Sequence, residues 1–257
     1  GTSGDGIDAS IIVSDGGENY KVLKEKYYKY EKTISLNYNQ LKKKINTPRD
    51  LELNKNELSE LEKKITLCHA QAIKDISNNI KIDLIGFHGQ TIYHNPNVNL
   101  SLQLGDGNLL SQLTKKNIIY NFRSNDIKNG GEGAPLTPIY HKILLKKIKY
   151  NLPAGILNIG GICNFTLIND YSNDKIYSRD IGPGNCLIDE WIQSNTNDFF
   201  DNEGKISFRG KTNEVLLESA LESYENIQSN NKYKTYDISD FNIAFARGLS
   251  IEDGAAT

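Results

Sequence analysis

Apolar residues return at three- and four-residue intervals between positions 56 and 76, as Leu58, Leu61, Ile65, Cys68, Ala72 and Ile76. That spacing lays one apolar stripe along an α-helix, with Asn56 as its N-cap. Before it, the β-branched run 7–13 follows a glycine-rich opening, GTSGDGID, and reads as a turn entering a strand. The lysine-rich stretch 18–35 reads as a second strand and its connection. IDLIGF (82–87) reads as a buried strand ending at HGQT. A strand over 100–104, a turn and helix over 106–113, and a strand over 118–122 follow. Residues 129–135, NGGEGAP, hold too much glycine for a regular element; they mark a domain boundary and lead into an apolar helix around 140–145. Residues 156–168 read as a hairpin with Gly160-Gly161 at its turn. A further strand ends at Asp180, Pro183-Gly184-Asn185 opens a helix through Trp191, and another helix fits 213–224. Strands alternating with helices in both halves predict an α/β fold. No repeat shows at the level of residue identity, yet each half begins with a glycine-rich hairpin.

Composition narrows the function classes. A chain of 257 residues allows one large domain or two ordinary ones, and 38% apolar content is lean but sufficient for a core. No apolar run is long enough to cross a membrane as a helix. Thirty basic against 32 acidic residues, a net charge of -2, give no electrostatic footprint for nucleic acid. Lysine runs at 42–44 and 146–149 read as solvated helix faces. Three cysteines without a CxxC pair argue against a disulfide framework or structural zinc and for a reducing compartment. The absence of methionine, an abrupt opening at Gly1-Thr2-Ser3 and an abrupt end in a helix start at Ser250 lead us to expect a piece of something longer. No targeting signal is visible.

Glycine-rich turns serve tight packing, or they cradle phosphate on exposed backbone N–H groups. GTSGDGID adds the hydroxyls of Thr2 and Ser3 and the carboxylates of Asp5 and Asp8, which suit Mg²⁺ or its waters. It is neither a Walker A loop nor a Rossmann fingerprint, because GxxxxGK[ST] is absent and a strand follows rather than a helix. Two such loops, one per half, suggest a nucleotide held in a cleft between related domains. HGQT (88–91) sits after a strand, where α/β folds present binding groups, although a structural turn with a core histidine fits as well. His88 and His94 are poorly spaced to share a metal. Arg123 offers a fork for a carboxylate or hydroxyl pair, or a salt bridge to Asp126 or Glu132. Asp180, between a strand and a helix, fits a general base with an anion-hosting helix N-terminus behind it, or a plain N-cap.

Seven blocks in order along the chain resemble the anhydro-N-acetylmuramic acid kinase family of the acetate kinase/sugar kinase/Hsp70/actin superfamily. They are GTSGDGID, IGFHGQTIYH, LQLGDGNLL, NFRSNDIKNGGEGAPLTPIYH, LNIGGICN, DIGPGNCLIDEW and GLSIEDGAAT. The resemblance implies two actin-like (ribonuclease H-like) α/β domains around a nucleotide cleft, over 1–132 and 133–257, the second cut short. It implies ATP and Mg²⁺, a small amino sugar as partner, a cytoplasmic setting in peptidoglycan recycling, and a homodimer among the allowed assemblies. The implied reaction opens the 1,6-anhydro bridge with water and phosphorylates O6. Asp180 matches the catalytic base. Gly1, Thr2, Ser3, Gly4, Asp5, Gly6 and Asp8 match the first phosphate loop, with Asp5 toward Mg²⁺. Asn158, Gly160, Gly161 and Asn164 match the second, and His88, Gln90, Thr91 and Arg123 the sugar site.

The chain departs from the family at Gly4, where a bulky apolar residue is usual, at Asn121 and at Ile181. The Gly4 change implies a slacker loop. The family also continues past GLSIEDGAAT and begins with a strand before GTS. Two other classes stay open on the residues: a non-catalytic sugar or nucleotide binder, and a metal-dependent hydrolase using His88, His94 and Asp180.

Overall fold

The computed structural model describes residues 4–171, 176–230, 236 and 238–257. The chain is mixed α/β and divides into two compact units, Gly1–Ala134 and Pro135–Thr257.

The first unit opens with a hairpin. Strand β1 (Gly6–Ser14) pairs antiparallel with β2 (Tyr20–Lys29), with a bulge at Ile11/Ile12. Asp15 closes the turn, its carboxylate accepting from the backbone N–H groups of Gly17 and Asn19. Alternation turns Ile7 and Ile11 inward, and the exposed Ile12, Val13, Val22 and Leu23 cluster toward the far end of the ribbon. Helix α1 (Lys32–Lys44) comes next, then α2 (Pro48–Leu53), started by a Thr47/Asp50 capping box, and α3 (Lys55–Ile76). The long helix appears where the apolar spacing predicts it, but its N-cap is Asn54 rather than Asn56. Helix α1 departs from the sequence reading. Its stripe Ile34, Tyr38, Leu41 and Ile45 joins Ile7, Leu58, Leu61, Ile65, Ile92 and Leu104 in the main core.

Strand β3 (Leu84–Gly86) runs parallel to β6 (Asn117–Ile119). It is short and not buried, contrary to the sequence reading, since Leu84 is 53% exposed. Gln90 begins a strand instead of a loop: β4 (Gln90–Asn95) pairs antiparallel with β5 (Leu100–Leu104). Asp106 caps α4 (Gly107–Thr114), accepting from the N–H groups of Asn108 and Leu109. The strand expected over 118–122 stops at Ile119. Asn121, left-handed at φ 60°, turns the chain into α5 (Phe122–Lys128), so Arg123 lies in a first helical turn.

The second unit begins with α6 (Pro138–Lys147). Strands β7 (Ala154–Ile159), β8 (Ile162–Ile168) and β9 (Ile176–Pro183) form an antiparallel sheet in that order, with Gly160-Gly161 turning the β7–β8 hairpin as expected. Strand β9 continues three residues past the expected end at Asp180. Helix α7 (Cys186–Asn195) runs beyond Trp191, and α8 (Glu214–Asn230) and α9 (Ile251–Ala256) follow. Trp191 packs with Ile192, Ala246 and Ala255, and its Nε1 donates to the Ile251 carbonyl at 2.9 Å.

Candidate functional site

In the first unit the glycine turn leads into β1. Gly1, Thr2 and Ser3 lie outside the described residues. Gly4 is buried at φ +67°, and a Cβ there would run into the Tyr38 ring. The loop is therefore not slack at Gly4, as the departure from the family suggested; the backbone is held in a conformation and a space that only glycine fits. Gly6 is equally confined, because a Cβ there would lie 2.5 Å from the Tyr28 carbonyl oxygen. The Asp5 carboxylate accepts from the Tyr27 hydroxyl at 3.1 Å, while its carbonyl accepts from the Tyr30 N–H. Burial, then the Asp5 charge, pushes the Tyr27 phenol up to about 12, so it stays a donor. Asp8 is exposed on β1.

The HGQT residues divide by role. Gln90 and Thr91 are each 3% exposed. Gln90 Nε2 donates to the Gly6 carbonyl at 3.1 Å and to the Tyr30 hydroxyl at 3.3 Å, which ties β4 to the glycine turn. His88 Nδ1 lies 2.9 Å from the Gly89 carbonyl, and Arg123 Nε donates to His88 Nε2 at 2.9 Å. A carbonyl only accepts and a guanidinium only donates, so the imidazole is neutral with its proton on Nδ1. Burial, reinforced by the Arg123 charge, lowers its pKa to about 4, in agreement with that assignment. Arg123 Nη1 also donates to the Gly133 carbonyl at 2.9 Å.

The glycine-rich stretch read as a boundary thus helps to aim Arg123. It folds back on α5, with Gly133 N–H donating to Asp126 and with no room for a Cβ at Gly131 beside that carboxylate. The expected choice between a ligand fork and a salt bridge missed this arrangement, because His88 and Gly133 are brought to Arg123 by tertiary folding.

In the second unit Asn158 stands opposite Asn164, and Asn164 opposite Asp180. Asp180 is 7% exposed and lies within β9; the N-cap of α7 is Asn185, which excludes the plain N-cap reading. Asp180 Oδ2 accepts from the Tyr236 N–H at 2.9 Å. Sequence reasoning passed over Tyr236, which arrives 56 residues later in a polar stretch without a motif. Asn164 Oδ1 is buried with no hydrogen-bond partner among the described residues, the mark of a group that meets water or a ligand. The turn carbonyls are engaged: Gly160 accepts from Asn185 N–H at 2.7 Å, and Gly161 from Gly184 and Cys186 N–H at 2.9 and 3.2 Å. The hairpin therefore clasps the entry to α7 through the N–H groups of Gly184, Asn185 and Cys186. Gly184 is required there, since a Cβ would collide with the Gly160 carbonyl.

Among the described residues no three His, Cys, Asp or Glu side chains gather as a ligand set for a metal. His94 Nδ1 meets the Ser101 hydroxyl at 3.0 Å. Asp5 and Asp8 offer hard carboxylate oxygens, the donor type for a Mg²⁺ held largely by water and phosphate. Among the described residues no helix is long and apolar enough to cross a membrane.

A mixed α/β chain with a confined glycine turn in the first unit, a glycine hairpin in the second and a buried strand aspartate is consistent with a sugar kinase. The model of the anhydro-N-acetylmuramic acid kinase family matches residues 1–245, and the chain belongs to that family. It is 51% identical to the anhydro-N-acetylmuramic acid kinase of Pelagibacter ubique over 100% of this chain and 69% of the relative. The enzymes of the same name from Zymomonas mobilis and Agrobacterium fabrum are 38% and 36% identical, again over the whole chain and over 71% and 70% of their own lengths.

Proposed function

We propose that the chain is an ATP-dependent kinase that opens 1,6-anhydro-N-acetylmuramic acid with water and phosphorylates O6, giving N-acetylmuramate 6-phosphate in peptidoglycan recycling. The observation that carries this reading is Asp180, a buried carboxylate set in a strand opposite Asn164, whose amide oxygen has no partner among the described residues. Asp180 takes a proton from water as the water oxygen bonds to C1. The C1–O6 bond breaks, and O6 accepts the γ-phosphoryl group while ADP leaves. The Tyr236 N–H orients one carboxylate oxygen for this step. Arg123, aimed by neutral His88 and the Gly133 carbonyl, meets the lactyl carboxylate of the sugar. Gln90 and Thr91 shape the same side from within, as buried supports.

Phosphate is read by the turn 1–8 and by Asn158, Gly160, Gly161 and Asn164. Mg²⁺, when bound, neutralises charge on the transferring phosphates, and Asp5 would hold it through water. This reading includes two actin-like domains, 1–132 and 133–257, around a nucleotide cleft. A cytoplasmic setting suits Cys68, Cys163 and Cys186, which are free thiols. A homodimer is among the assemblies this reading allows, to be read by light scattering.

The test is coupled ADP release by the complete gene product, with N-acetylmuramic acid as control. Release is expected with the anhydro sugar and absent without it. Asp180→Asn should abolish turnover and leave ATP binding nearly intact; normal turnover in that variant removes Asp180 from the role of base.

A further inference from the structure

Tyr38 belongs to none of the motifs, yet its two ends touch two candidate subsites. It lies in α1 and is 1% exposed, packed within the core formed by Ile34, Leu41, Ile65 and Ile92. Its ring is the floor of the glycine turn, filling the space where Gly4 would carry a Cβ. Its hydroxyl donates to the Thr91 carbonyl at 2.5 Å. That carbonyl sits where the β4–β5 register shifts, between Thr91 and Tyr93. Bulges re-aim a strand and need support where the ladder is interrupted, and a buried tyrosine hydroxyl needs an acceptor. Each requirement meets the other here. The Gln90 amide, donating to the Gly6 carbonyl, ties the same turn and strand from the other side.

We propose that Tyr38 is a positioning residue that fixes the sugar-side strand β4 against the phosphate-side glycine turn. This rests on the kinase reading above, in which turn 1–8 meets phosphate and the 88–91 segment supports the sugar side. The ring acts on the nucleotide and the hydroxyl on the sugar, so the two effects separate by substitution.

The experiment is steady-state kinetics of ADP release by the complete gene product. Tyr38→Phe keeps the floor under Gly4 and frees the Thr91 carbonyl. Loss of one buried hydrogen bond should raise the sugar KM about fivefold, with the ATP KM within about twofold of wild type. Gly4→Ala acts from the opposite side, forcing ring and turn apart, and should raise the ATP KM more than the sugar KM. A folded Tyr38→Phe enzyme with both constants unchanged, or both raised equally, overturns the proposal. If Tyr38→Phe does not fold, Gly4→Ala decides: a predominant effect on the ATP KM supports the proposal, and an equal or sugar-dominated effect overturns it. Wild-type protein without sugar-dependent ADP release overturns the kinase reading and this proposal together, an outcome distinct from an active wild type whose variants show no split.

Discussion

Acid should loosen the first unit before carboxylate chemistry begins, through its buried histidines. His69, on α3, donates Nδ1–H to the Ile65 carbonyl at 2.8 Å and meets the Phe87 ring edge-on at 4.8 Å. Burial lowers its pKa from 6.5 to about 4, and burial does the same to His88. The unfolded chain binds these protons below about pH 6.5 and the native state resists them until about pH 4. Stability is therefore fully present above 6.5 and is lost as pH falls from there toward 4. Each histidine contributes up to about 3.4 kcal/mol, of which about 2 kcal/mol is gone at pH 5. Together they remove about 4 kcal/mol at pH 5, a large part of the roughly 5–15 kcal/mol that holds a domain. His69→Phe keeps a ring against Phe87 and gives up one exchangeable hydrogen bond, a cost of about 1 kcal/mol at neutral pH. Between pH 7.5 and 5 the variant should lose about 2 kcal/mol less than wild type, or about 4–8 °C less in Tm by calorimetry. Parallel losses in the two proteins would refute the assignment of the acid sensitivity to His69.

Three further outcomes follow from contacts already described. Arg123→Ala should raise the sugar KM at least tenfold and leave the ATP KM within about twofold, since a charge-assisted bidentate contact is worth roughly 1.5–3 kcal/mol; equal effects on both constants would move Arg123 out of the sugar site. Gly184→Ala drives a methyl into the Gly160 carbonyl, so the Tm of the second unit should fall by several degrees, consistent with about 2 kcal/mol of strain. Thr47→Ala removes one half of the α2 capping box and should cost about 1 kcal/mol in urea unfolding.

The sequence made the long helix, the Gly160-Gly161 hairpin and the family blocks legible, because each is a local pattern of spacing or turn chemistry. Helix α1 escaped because Ile34, Tyr38, Leu41 and Ile45 are diluted by lysine and asparagine on the solvent face. The strand at Gln90–Asn95 escaped because His88-Gly89 reads as punctuation, while Ile92 and Tyr93 behind it are fully core. Asp180 was visible as a candidate, and the cap reading that spacing left open falls away only with the position of Asn185 as the N-cap of α7. The pairs His88–Arg123, Tyr38–Thr91 and Tyr236–Asp180 join residues 35, 53 and 56 positions apart. Such pairings are products of tertiary folding, and no local period announces them.

The chain has one tryptophan, and it lies in the second unit, 6% exposed, with its indole N–H on the Ile251 carbonyl and Gly254 packed against its ring. Its emission is therefore an intrinsic optical label for that unit, blue-shifted while α7 and α9 stay packed and red-shifted when they part. The first unit carries only tyrosine and phenylalanine chromophores. Excitation at the indole in an unlabelled sample thus follows the half that holds Asp180 alone, whereas the fourteen tyrosines divide seven to each unit and report on both. Quenching by iodide before and after nucleotide addition would then read a conformational response of the second unit without any engineered dye.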